Sequence, residues 1–215
     1  MKQLKWLLLA LPALLVACTS SKVTSSWTDP STNNKELTKF KNVLVVGMQP
    51  DNRKLKEEME TYLSDYLTKE GINAKASFDE FGPKAFSKKT DQEVTAMVKS
   101  KGYDGVITIA LLDKQKEQSY NPGNVRLSPI GTYYNRIGRY YTTVYDRIYQ
   151  PGYYTTSTDY FWETNIYDAR QDKLLYSVQS QSFDPASVTS MSKDYGKLIV
   201  KDLAKNGLIS SRDNK

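Results

Sequence analysis

The spacing of hydrophobic and polar positions changes several times along this chain, and each change marks an element. Residues 6–16 are an apolar run broken by Pro12 and preceded by Lys2 and Lys5. The run is shorter than the roughly 20 residues a membrane-spanning helix needs, and small residues close it, the pattern of a secretory signal. Residues 19–34 are rich in Ser, Thr and Asn without apolar period, which predicts a flexible tether reaching to residue 38. Trp27 and Pro30 are its expected first contacts with the domain. Residues 42–47 are a β-branched apolar run ending in Gly47, the pattern of a central strand buried on both faces. From Asp51 the period becomes helical, with Leu55, Met59, Tyr62, Leu63, Tyr66 and Leu67 on one face, Lys and Glu filling the other, and Gly71 as the stop. Residues 72–78 predict a short second strand.

Thr90, Asp91, Gln92 and Glu93 form a helix start signal, because the Thr hydroxyl and the Glu carboxylate can satisfy each other's exposed amides. Val94, Met97 and Val98 make the apolar stripe, and Gly102 ends it. Residues 106–112 are the strongest strand signal. Strand, helix, strand, helix, strand predicts right-handed βαβ crossovers on a sheet with parallel neighbours. The pattern lapses at Asp113 into a polar, Tyr-rich insertion of about 113–157. Residues 158–167 and 174–182 then predict a β-hairpin around a turn at 168–173. Phe161 and Ile166 cannot share a face by strict alternation, which requires a bulge or leaves the register open. Val188, Met191, Tyr195, Leu198, Ile199 and Leu203 predict a last helix ending at Gly207. Gly196 within it costs about 1 kcal/mol relative to Ala, so a close packing contact is expected there. The expected fold class is α/β: a mixed β-sheet with βαβ crossovers and packed helices, plus the Tyr-rich insertion and a C-terminal β-hairpin and helix. It forms a single domain over 39–209, with 210–215 as a tail.

Composition narrows the chemistry. About 197 of the 215 residues follow the signal, enough for one such domain. The formal charge of +6 falls to about +4 without Lys2 and Lys5, with acids and bases interspersed, which argues against a nucleic-acid partner. The chain has no histidine, and so lacks the usual general base, the usual partner of a Ser or Cys nucleophile and the commonest metal ligand. Its single cysteine excludes an intramolecular disulfide and leaves few ligands for zinc or copper. No phosphate-binding or dinucleotide-binding glycine motif is present. Ser190-Met191-Ser192-Lys193 matches the Ser-x-x-Lys pattern of penicillin-binding enzymes, but the companion motifs are missing, so these read as solvated helix residues. Glu57, Glu58, Asp79 and Glu80 are expected as solvent-facing charges. No enzymatic activity, catalytic residue, metal or cofactor is expected.

The insertion is the unusual constellation. Tyr120, Tyr133, Tyr134, Tyr140, Tyr141, Tyr145, Tyr149, Tyr153, Tyr154 and Tyr160 are interleaved with Arg126, Arg136, Arg139 and Arg147. Tyr and Arg are enriched at contact surfaces because each joins a large body to a polar end. Arg136, Arg139, Tyr140, Tyr141, Tyr153 and Tyr154 are the candidate binding residues, for a protein partner or for stacking on a glycan. The alternative is a long decorated loop or hairpin whose rings cover the sheet edge or pack on one another.

Leu15, Val16, Ala17 and Cys18 resemble the closing box of bacterial lipoprotein signals. The resemblance implies that Cys18 becomes the diacylglyceryl-modified, N-acylated first residue, and Thr19 after it implies the outer membrane rather than the inner. The remaining chain resembles a group of bacterial envelope lipoproteins through Ser26-Trp27-Thr28-Asp29-Pro30, residues 43–47, the Pro-Gly-Tyr-Tyr-Thr run from Pro151, Glu163-Thr164-Asn165-Ile166-Tyr167-Asp168 and Lys173-Leu174-Leu175-Tyr176-Ser177. In element order it also resembles the α/β domains of the peptidoglycan-synthase activator LpoB, the curli secretion lipoprotein CsgG and the N-terminal domain of TolB. These resemblances imply a periplasm-facing lipoprotein, held to the membrane by its lipid, that serves as an assembly or accessory factor of an envelope complex. The alternative is a cell-wall or polysaccharide-binding module using the Tyr/Arg segment.

Overall fold

The computed structural model describes residues 20–49, 52–84, 86, 89–121 and 153–210. Six strands, β1 (Ser21–Thr28), β2 (Val43–Gly47), β3 (Ala74–Ala76), β4 (Gly105–Asn121), β5 (Tyr153–Asp168) and β6 (Lys173–Phe183), form a sheet in the order β1-β6-β5-β4-β2-β3. The helices are α1 (Arg53–Lys69), α2 (Ser77–Phe81), α3 (Asp91–Ser100) and α4 (Val188–Lys205). β2 runs parallel to both β3 and β4, as the crossover pattern requires, while β4, β5, β6 and β1 pair antiparallel. The fold is therefore the expected α/β class with a mixed sheet.

All five residues of β2 are buried because both faces of this part of the sheet are covered. Val43 and Val45 pack with Leu55, Met59 and Leu63 of α1 and with Tyr195 and Ile199 of α4, whereas Leu44 and Val46 meet Val98, Tyr103, Phe81 and Phe86 on the other side. α3 begins with the expected capping box between Thr90 and Glu93. α4 lies against α1 at Gly196, where a Cβ would come within 2.8 Å of Tyr66 Cδ2 and 3.2 Å of the Tyr62 carbonyl oxygen. The glycine therefore provides the close approach that its position suggested.

Three expectations need correction. The stretch 19–38 is not a tether up to residue 38. Ser21–Thr28 is an edge strand on β6, Leu37 is fully buried in a 3-10 turn (Glu36–Lys39), and contact with the domain begins at Ser20 rather than at Trp27. The strand expected over 72–78 is only Ala74–Ala76, because Ser77–Phe81 turn into α2. β4 and β5 also run far into the expected insertion, to Asn121 and from Tyr153. On β5 the buried face is Trp162, Thr164 and Ile166, and Phe161 belongs to the opposite face. β5 itself carries no bulge between Phe161 and Ile166; the register shifts lie in its neighbours, between Leu111 and Asp113 of β4 and at Leu175 of β6.

Candidate functional site

Two places in the described residues carry more than packing: an arm formed by the distal halves of β4 and β5, and a cleft at the carboxyl end of β2. The arm follows from where each neighbour stops. β2 accompanies β4 only from Gly105 to Ile109, and β6 accompanies β5 only as far as Asp159, opposite Phe183. β4 and β5 continue to pair with each other out to Asn121 and Tyr153. Residues 112–119 and 154–156 are exposed, so the arm is a two-stranded ribbon with solvent on both faces and no ladder partner on either outer edge among the described residues.

The bulge at the base of the arm sorts its charges. Leu112 is the inserted residue, 52% exposed, and it shifts the alternation so that Lys114 stands opposite Tyr160 rather than Asp159. Lys114, Lys116 and Gln118 therefore share a face with Tyr154, Thr156, Thr158 and Tyr160. This face continues the helix-covered side of the sheet, since Tyr160 stacks on buried Trp162 at 6.0 Å between centroids and Lys114 Nζ sits 5.1 Å from the Tyr160 ring. The opposite face carries Asp113, Glu117 and Asp159, and Gln181 Nε2 donates to Asp159 at 3.0 Å.

Of the candidate binding residues, Tyr154 lies near the far end of the arm, 71% exposed, and Tyr153 pairs with Asn121 at the last rung. Arg136, Arg139, Tyr140 and Tyr141, like Cys18, lie outside the described residues. Ser190 is taken up in a capping box with Ser187, and Lys193 Nζ sits 5.4 Å from the Tyr62 ring, so the Ser-x-x-Lys pair forms no dyad. Among the charges expected at the surface, Arg53 pairs with Glu57 at 2.5 Å and Lys75 with Glu80 at 2.9 Å.

The cleft, about 960 Å³ and open to solvent, is lined by Gly47, Gln49, Arg53, Lys56, Phe78 and Phe86 among others. Behind the lining residues Gly47, Lys56 and Phe78, Glu60 is fully buried. Its Oε1 accepts from the Gly47 amide at 2.7 Å and the Ser77 hydroxyl at 2.8 Å, and its Oε2 from the Phe78 amide at 2.8 Å. Burial raises its pKa above the ordinary carboxylate value against the pull of these three donors and of Lys56, whose Nζ is 3.8 Å away. Gly47 has no room for a side chain, because a Cβ there would meet Gln49 Oε1 at 2.8 Å and Lys56 Cγ at 2.9 Å. The carboxylate thus ties the last amide of β2 to the start of α2. With all three donors drawn from the backbone and hydroxyl groups it joins, the arrangement is a structural joint, while Glu57, the acid that lines the cleft, is paired with Arg53. Glu60 lies one helical turn before Leu63 and Ser64, a spacing that could have placed it on the buried stripe. No cluster that could hold a metal ion occurs among the described residues.

No protein-family model and no curated protein matches the sequence. Among solved structures, the chain is similar to the PelC dodecamer from Paraburkholderia phytofirmans, with 10% identity over 87% of this chain and 97% of that one and a TM-score of 0.44. It is also similar to the lipoprotein GNA1162 from Neisseria meningitidis, with 13% identity over 76% of this chain and 98% of that one and a TM-score of 0.42. Likenesses this distant carry no residue role and no activity across to this chain.

Proposed function

We propose that the chain is a lipoprotein anchored through Cys18 in the outer membrane, facing the periplasm, and that it acts without catalysis as an assembly or accessory factor of an envelope complex. The observation that supports this reading best is the arm: a polar ribbon extended well past the core that holds its base, with no further strand laddered to it among the described residues. Unpaired strand edges are templates for adding another strand, and a two-stranded ribbon alone is marginal in water, so the arm gains stability by docking. Among the described residues no helix is long and apolar enough to cross a membrane, and attachment is assigned to the acyl chains, each buried methylene contributing about 0.8 kcal/mol.

Cys18→Ala should release the protein from membranes or leave its signal uncleaved, and intact mass should show acyl chains on the wild-type N-terminus. A wild-type chain without acyl mass overturns the anchor. A photo-crosslinker at Ser157 in intact cells should capture an envelope protein. Capture of cell-wall or polysaccharide instead supports the glycan-binding alternative, to which exposed Tyr154 lends an aromatic surface. Capture of neither removes the arm as the docking surface.

A further inference from the structure

Lysines on two separate elements point to the same side of the sheet. On α4, Lys193, Lys197, Lys201 and Lys205 recur every fourth residue and are all exposed, opposite the buried stripe of Met191, Tyr195, Ile199 and Leu203. On the arm, Lys114 and Lys116 occupy the face continuous with the sheet surface on which α4 packs. The acids of the arm, Asp113, Glu117 and Asp159, are on the other face.

The end of the described chain lies on this side too. Ser20 donates its hydroxyl to Asp194 of α4 at 2.5 Å, and its carbonyl accepts from the Phe183 amide at 2.7 Å. Only Thr19 separates Ser20 from Cys18, a reach of at most about 7 Å. Phe183 stands level with Asp159 and Gln115, so the arm passes Ser20 at the same end of the sheet and continues through six more residues of β4, about 20 Å. The attachment point therefore falls close to the base of the arm, on the side of the sheet that α4 covers.

We propose that the α4 side of the domain, with its lysine stripe and the Lys114 and Lys116 face of the arm, lies against the anionic lipid headgroups of the membrane that holds the N-terminus. This orientation rests on the lipid anchor proposed above. Basic residues close to an anionic surface attract it additively, and the attraction fades with salt. The acidic face of the arm is then turned toward the periplasm and the envelope partner.

The test uses the acylated mature protein in phosphatidylethanolamine vesicles containing one quarter phosphatidylglycerol. Because acylation occupies the only cysteine, single fluorophores can be placed through Thr156→Cys on the lysine face of the arm, Ser157→Cys on its acidic face and Gln92→Cys on α3 across the sheet. A headgroup-attached quencher should dim the Thr156 label at least about threefold more than the Gln92 label, with Ser157 between them. The contrast should shrink at high salt and in a Lys197→Gln, Lys201→Gln background. Equal quenching at Thr156 and Gln92, or protection of Thr156 by a crosslinked protein without lipid quenching, overturns the proposal while the anchor stands. Absence of acyl mass on the same sample overturns the anchor, and the orientation with it.

Discussion

β4 and β5 are one ladder in two environments. At its base Ile107, Ile109, Trp162 and Ile166 are at most 1% exposed between α4, α1 and the sheet, and beyond the bulge at Leu111 the same two strands run on with every described β4 side chain in solvent. Hydrogen bonding continues across that boundary and hydrophobic burial does not. The base is fixed by packing, whereas the arm keeps its pairing by extension from the base and leaves its side chains available for contact.

The largest expected effect tests the base. Ile107→Asp would place a carboxylate in a fully buried strand with no partner, a cost of more than about 4 kcal/mol, and should leave the domain unfolded or insoluble. Normal melting of this variant would mean that β4 is not central. Next comes the joint at the end of β2. Glu60→Ala strands the Gly47 and Phe78 amides and the Ser77 hydroxyl, and should lower stability by about 3 kcal/mol in chemical unfolding. Because the folded-state pKa of Glu60 is raised above 4.5, its contribution is fully present below pH 4.5 and falls as pH climbs through the raised value, where the folded state must give up the proton. Glu60→Gln should flatten that slope, and an unchanged slope would assign it to another group. The smallest effect belongs to the arm. Lys116→Ala with Thr156→Ala should change stability by less than about 0.5 kcal/mol while altering contacts to lipid or partner. A clear drop in melting temperature would show that the arm is packed against part of the chain outside the described residues.

The half of the fold built on apolar repetition was legible. β2, α1, the capping box of α3, the start of β4 and the stripe of α4 follow from spacing alone, and Gly196 could be read as a packing contact because glycine inside a helix otherwise only costs stability. β1 was not legible, since its inward end is serine: Ser21 is buried against Ser182 with their hydroxyls 3.0 Å apart, so a Ser- and Thr-rich strand looks like a tether. The arm was missed for a different reason. A ribbon wet on both faces has no alternation to display, and its strand character comes from the base that it extends. Glu60 was hidden by its residue type, since a glutamate on an amphipathic helix is ordinarily read as solvent-facing.

The pairing of β1 with β6 joins Ser21 to Ser182, the opening of the described chain to a strand near its end. A chain delivered from its N-terminus therefore exports β1 first and completes the sheet last, since β1 has no strand to pair with until β6 has followed. In the interval residues 21–28 have no partner strand, which under the anchor proposed above would leave the neighbouring Cys18 accessible to processing enzymes. Docking of β1 is then a late event in folding, and under the proposed anchor it would also bring the finished domain close to its point of attachment.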